Sequence, residues 1–132
     1  MSGPSSLVLL IEPNDARAGY VDALRGTGLN VVAVTSCEAA RHTLDTMTPR
    51  LIIARFDVAT RDECLAFVAQ VKGDPRTRDI PILLTSEIIT GADLRRVNEM
   101  KVLGVAAAAQ DSGKMMAAVR GVLAVVEGKR SA

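Results

Sequence analysis

Apolar residues in this chain fall in two alternating patterns. The first is a short continuous run: Leu7 to Glu12, where an acid ends it, then Asn30 to Thr35, Leu51 to Ala54, Ile82 to Thr85 and Val105 to Ala109. Runs of this length between turn signals suit strands buried on both faces of a parallel sheet. The second pattern has helical spacing. Ala18, Val21 and Leu24 lie three residues apart. Ala39, Ala40, Leu44 and Met47 form a second set, and Cys64, Phe67, Val68 and Val71 a third. Leu94, Val97 and Met100 mark a fourth helix within Gly91 to about Lys101, and a last one runs from Met115 to about Glu127. Pro13, Asn14 and Asp15 suit a helix start, and Gly26 to Gly28 its end. Thr35 with Glu38 reads as a capping box, with Ser36 the alternative cap, and Pro49 breaks the helix that follows.

Strand and helix alternate five times, the mark of a doubly wound parallel sheet with right-handed crossovers and helices on both faces. No repeat or linker divides the 132 residues, so a single domain is expected, with a core of about 6–126 and flexible ends at 1–5 and 128–132. In such sheets ligands sit at the carboxyl ends of the strands, where the strand order switches. That confines a candidate site to Glu12 and Pro13, Thr35 and Ser36, Arg55 to Asp57, Thr85 to Glu87, and Gln110 to Ser112.

Composition removes several function classes. The net charge is +1 and aromatic residues are 2%, so neither a basic face nor stacking platforms for nucleic acid are expected. Cys37 and Cys64 with the single His42 cannot make a typical zinc site and read as buried thiols. No Ser-His-Asp arrangement or Gly-x-x-x-x-Gly-Lys phosphate loop is present, so no enzyme activity is expected. The N-terminus lacks the basic segment and apolar run of a signal peptide, and the apolar runs fall far short of a membrane helix, so a cytoplasmic location is expected.

Three stretches carry a family resemblance: Leu-Val-Leu-Leu-Ile-Glu at 7–12, Pro-Arg-Leu-Ile-Ile-Ala at 49–54, and Asp-Pro-Arg-Thr-Arg-Asp-Ile-Pro-Ile-Leu-Leu-Thr-Ser at 74–86. Leu-Gly-Val at 103–105 adds weaker support. In order and spacing the chain resembles the receiver domains of two-component response regulators. The resemblance implies a flavodoxin-like fold with five parallel strands in the order 2-1-3-4-5. It also implies a site: an aspartate after strand three that accepts a phosphoryl group, two acids after strand one that help hold magnesium, and a Ser or Thr after strand four and a Lys after strand five that contact the phosphoryl group.

Residue by residue, that constellation is mostly replaced. Glu12 matches the first acid, but Pro13 stands at the second. Arg55 stands at the acceptor position, Ser86 matches the hydroxyl, and Asp111 stands at the Lys. Ala108 stands where the family has an aromatic residue. An arginine neither deprotonates nor attacks phosphorus as a carboxylate does, and one carboxylate beside a guanidinium is a poor magnesium site. The expectation is an atypical receiver with no cofactor, working as a phosphorylation-independent interaction module, with Arg55 bridging to Asp111, Glu12 or both. Alternatives are phosphorylation at Asp57 and small-anion binding between Arg55 and Ser86. Ile88, Ile89, Arg95, Arg96, Glu99 and Ala108, within and beside the segment 93–109, form the candidate partner surface. The partners that the resemblance implies are a histidine kinase, an output domain or another regulator, with a homodimer through the helix-four, strand-five, helix-five face as a further option.

Overall fold

The computed structural model describes residues 7–11, 26, 29–55, 61–85, 95, 99, 105–106, 117, 119–122 and 124. At Arg55, Arg61, Thr85, Val105 and Ala106 the description is of the backbone alone. Five parallel strands form one sheet in the order β2-β1-β3-β4-β5: β1 Leu7–Ile11, β2 Asn30–Val34, β3 Leu51–Arg55, β4 Ile82–Thr85 and β5 Val105–Ala106. Two helices are described as continuous segments, α1 Cys37–Thr46 and α2 Arg61–Gly73. Gly26, Arg95, Glu99 and residues 117, 119–122 and 124 are helical. The fold is the expected flavodoxin-like doubly wound sheet.

The continuous apolar runs form strands because both sides of each are covered. Leu9, Ile11, Ile52, Ala54, Ile82 and Leu84 pack with Cys37, Ala40, Phe67, Val68 and Val71 beneath α1 and α2. The alternate residues, Val8, Leu10, Leu51, Ile53 and Leu83, pack with Val119 on the opposite face. Side chains alternate across a strand, so one uninterrupted run feeds two cores. Leu51, Ile52 and Ile53 have no exposed surface at all. Backbone hydrogen bonds from Arg50 to Leu7 (2.8 Å) and from Ile52 to Pro81 (3.0 Å) tie the start of β3 to both neighbours.

The helix signals need two corrections. Ser36, not Thr35, caps α1: its backbone is extended, and its side chain accepts from the Ala39 N–H at 3.1 Å. Of the set Ala39, Ala40, Leu44 and Met47, only Ala40 is fully buried. Cys37 joins it in the core, Leu44 packs against its edge, and Met47 is 37% exposed. The core face of α1 thus runs 37, 40, 44, and residues 39 and 47 lie on its flank. In α2 the set Cys64, Phe67, Val68 and Val71 is wholly buried, as its spacing requires. Asp62 and Glu63 in its first turn and Lys72 in its last suit the helix dipole.

The turn between α2 and β4 holds a polar residue that composition alone would leave at the surface. Thr77 is 6% exposed, and its hydroxyl donates to the Val71 carbonyl at 2.8 Å, satisfying an acceptor at the end of α2. Asp74 organises the same turn through the Arg76 N–H at 2.9 Å.

Two measurements check this packing. Ile53→Ala should cost about 2–5 kcal/mol in denaturant unfolding, while the exposed His42→Ala stays within about 0.5 kcal/mol of the parent. Burial, reinforced by the Glu63 charge and only partly offset by Arg41, pushes the Cys37 thiol up to about 11. Its thiolate is therefore scarce at pH 8, and labelling of Cys37 by an aromatic disulfide reagent should be slow until denaturant is added. Rapid labelling of the folded protein would contradict the placement.

Candidate functional site at the carboxyl ends of the strands

The central strand β3 runs buried through Ala54 and ends on Arg55. In register, Ile11 at the end of β1 lies opposite Ala54, and Arg55 lies opposite Thr85 at the end of β4. Thr85 in turn lies opposite Ala106 on β5. Arg55 thus stands one residue past the last β1 pairing, on the central strand, at the carboxyl edge of the sheet. The chain leaves β1 for β2 on one side and returns to β3 on the other, so this is the switch point where open α/β sheets place ligands. The expected strand ended at Ala54. The structure extends it by one residue, so Arg55 takes its backbone position from the β3–β4 ladder.

Arg55 is the cleft residue whose backbone is described. Glu12, Pro13, Asp57, Ser86 and Asp111 lie outside the described residues, as do Ile88, Ile89, Arg96 and Ala108 of the candidate partner surface. Arg95 and Glu99 are described. Both are helical and exposed.

Solved structures decide what architecture this is. The chemotaxis response regulator CheY4 of Vibrio cholerae superimposes with a TM-score of 0.80 at 14% identity, over 90% of this chain and 99% of its own. This is a receiver fold. The receiver domain of a signal transduction histidine kinase from Syntrophus aciditrophicus matches with a TM-score of 0.76 at 22% identity, over 91% of each chain. A putative response regulator from Chloroflexus aurantiacus gives 0.78 at 20% identity, over 92% of this chain and 99% of its own. No family model matches the sequence, and no curated protein does. At these identities the likeness extends to the receiver architecture, and the chemistry has to be read from this chain's own residues.

A second polar feature, which the sequence reading missed, lies at the other end of the sheet. A cleft of about 170 Å³ opens between α1 and the α2–β4 turn. Leu44, Val71 and Thr77 are among the residues lining it. At its rim the Arg41 guanidinium donates to the Gln70 side-chain oxygen at 2.8 Å, joining the two helices. Arg76 contacts Asp74 at 3.3 Å and approaches Asp45 at 4.0 Å. Two arginines balance two aspartates here. Each arginine already has a partner within the chain, so the arrangement works as a seam between α1 and the turn. The only advance signal was the i, i+4 spacing of Arg41 and Asp45.

The Arg76 N–H, and then its guanidinium, hold the Asp74 carboxyl below its usual range. A lowered carboxyl pKa stabilises the fold above the unfolded value, and the contribution is lost as pH falls through the folded one. Asp74→Ala should therefore lower the urea midpoint slightly at pH 7. Asp74→Asn, which keeps an acceptor for the turn, should lower it less. The difference between the parent and Asp74→Asn should vanish as the pH is taken below the carboxylate range.

Proposed function

We propose that this chain is an atypical receiver domain of two-component-type signal transduction that engages its partners without aspartyl phosphorylation. The observation that carries the reading is Arg55 as the last residue of β3, at the switch point of a receiver fold. Receivers that are phosphorylated need an acid there. A guanidinium is permanently charged, offers five donors and has no nucleophilic oxygen.

The remaining cleft residues support the same reading. Pro13 removes one metal-binding carboxylate, and Glu12 is left beside a cation. Magnesium is bound through carboxylates and other oxygen donors in near-octahedral geometry, so this donor set does not fit it. Asp111 stands where the family has Lys, so the acid of strand three and the base of strand five have exchanged charge. In the proposed cleft Arg55 pairs with Asp111, Glu12 or both, and a built-in ion pair replaces metal and phosphate. Signalling then depends on binding. The exposed Arg95 and Glu99 belong to the surface offered to a histidine kinase, an output domain or another regulator.

Two experiments test this. Incubation with a small phosphodonor and magnesium, followed by intact mass measurement, should give no phosphoryl increment. An increment that Asp57→Ala removes would establish the conventional switch with an unusual acceptor. A double-mutant cycle of Arg55→Ala and Asp111→Ala should show coupling of about 0.5–3 kcal/mol in unfolding free energy. Strict additivity there, and again with Glu12→Ala, would remove the ion pair.

A further inference from the structure

We infer that the cleft between α1 and the α2–β4 turn is a binding site for a small aliphatic α-amino acid. Two unlike charges stand together there without pairing. Arg41 and Asp45 lie one turn apart on α1, where side chains come within about 5–6 Å at Cβ and ion pairs commonly form. Each is drawn elsewhere. The Arg41 guanidinium donates to the Gln70 side-chain oxygen at 2.8 Å, and the Asp45 carboxylate leans toward Arg76, 4.0 Å away. Among the described residues, no carboxylate makes an ion pair with Arg41. Asp74, the other acid of the rim, is already committed: it accepts from the Arg76 N–H at 2.9 Å and contacts the Arg76 guanidinium at 3.3 Å.

The wall between these charges is apolar. Leu44 packs against the edge of the core, and Val71 is buried within it. Both line the cleft. The Thr77 hydroxyl beside them is spent on the Val71 carbonyl at 2.8 Å. The cleft holds about 170 Å³, which is small beside the roughly 300–1,000 Å³ of drug-sized sites. Gln70 gives Arg41 its oxygen and keeps its amide N–H groups as further donors at the same end of the cleft.

What fits is a molecule with an anion and a cation on one carbon and a short apolar body. Its carboxylate takes the Arg41 N–H groups that Gln70 does not use, as a guanidinium fork suits. Its ammonium takes the Asp45 carboxylate, and its side chain covers Leu44 and Val71. The charge layout disfavours simpler ligands. A lone anion on Arg41 sits beside Asp45, and a lone cation on Asp45 sits beside Arg41, whereas a zwitterion answers both. The site is separate from the strand-end cleft and leaves it open to other partners.

Titration of the full chain with L-leucine, followed by amide NMR, should shift residues 41–45, 70–71 and 74–77 with a Kd in the millimolar range, as suits so small a ligand in an open site. Isocaproate, which lacks the ammonium, and isopentylamine, which lacks the carboxylate, should each bind at least about tenfold more weakly. Arg41→Ala and Asp45→Asn should each weaken leucine binding by about the same factor, with unchanged circular dichroism. Arg120→Ala, an exposed position next to Val119 on the opposite face of the sheet, should leave binding as it is. An absence of leucine-induced shifts in these segments, equal binding of isocaproate, an affinity that survives Arg41→Ala or Asp45→Asn, or one lost with Arg120→Ala would each overturn the inference. If one of the two cleft variants does not fold, the other puts the same question with the same two answers.

Discussion

The two-sided burial of β1, β3 and β4 is the constraint on which the rest of this structure depends. Once Leu51, Ile52, Ile53 and Ala54 are sealed on both faces, no polar side chain has a place along the middle of the central strand. Polar chemistry is pushed to the ends of the strands and the outer sides of the helices. The first residue past the sealed run is Arg55, held in the β3–β4 ladder beside the end of β1. Its importance comes from that place in the sheet.

This also explains why a receiver fold does not depend on the chemistry at its strand ends. The core is built from strand interiors and from the inward faces of α1 and α2. The one described cleft position, Arg55, is the last residue of β3, past the sealed run, so that packing does not dictate the residue type there. Fold and reaction are separable here, and function has to be argued from the site. At the aligned positions this chain has Pro13, Arg55 and Asp111, and the proposed ion pair rests on the opposite charges of the last two.

Most of the fold was legible because parallel strands announce themselves as unbroken apolar runs, and the runs at 51–54 and 82–85 fell within a residue of the observed strands. Single capping residues were less legible. Thr35 and Ser36 offer the same hydroxyl, and only the extended backbone at Ser36 selects it as the cap. Helical spacing placed Ala39 and Met47 among core candidates, because period alone cannot say which of two neighbouring stripes turns inward. Thr77 was invisible for another reason: its burial depends on an acceptor six residues away. For the site, the sequence supplied residue types, and the sheet register supplied the position of Arg55.

The molecule thus has polar features of different standing. The Arg41–Gln70 contact and the Asp45–Arg76–Asp74 group are paired within the chain and join α1 to α2 and its turn. The carboxyl-end cleft is the place where we propose that the family's reaction has been replaced. Its status is tested most directly by amide NMR spectra recorded with and without beryllofluoride and magnesium, which mimic a phosphorylated aspartate. The account predicts that Arg55 and the neighbouring strand ends stay unshifted at saturating reagent. A new set of resonances centred on residues 53–57 and 85–86 would show a working acceptor site and contradict it.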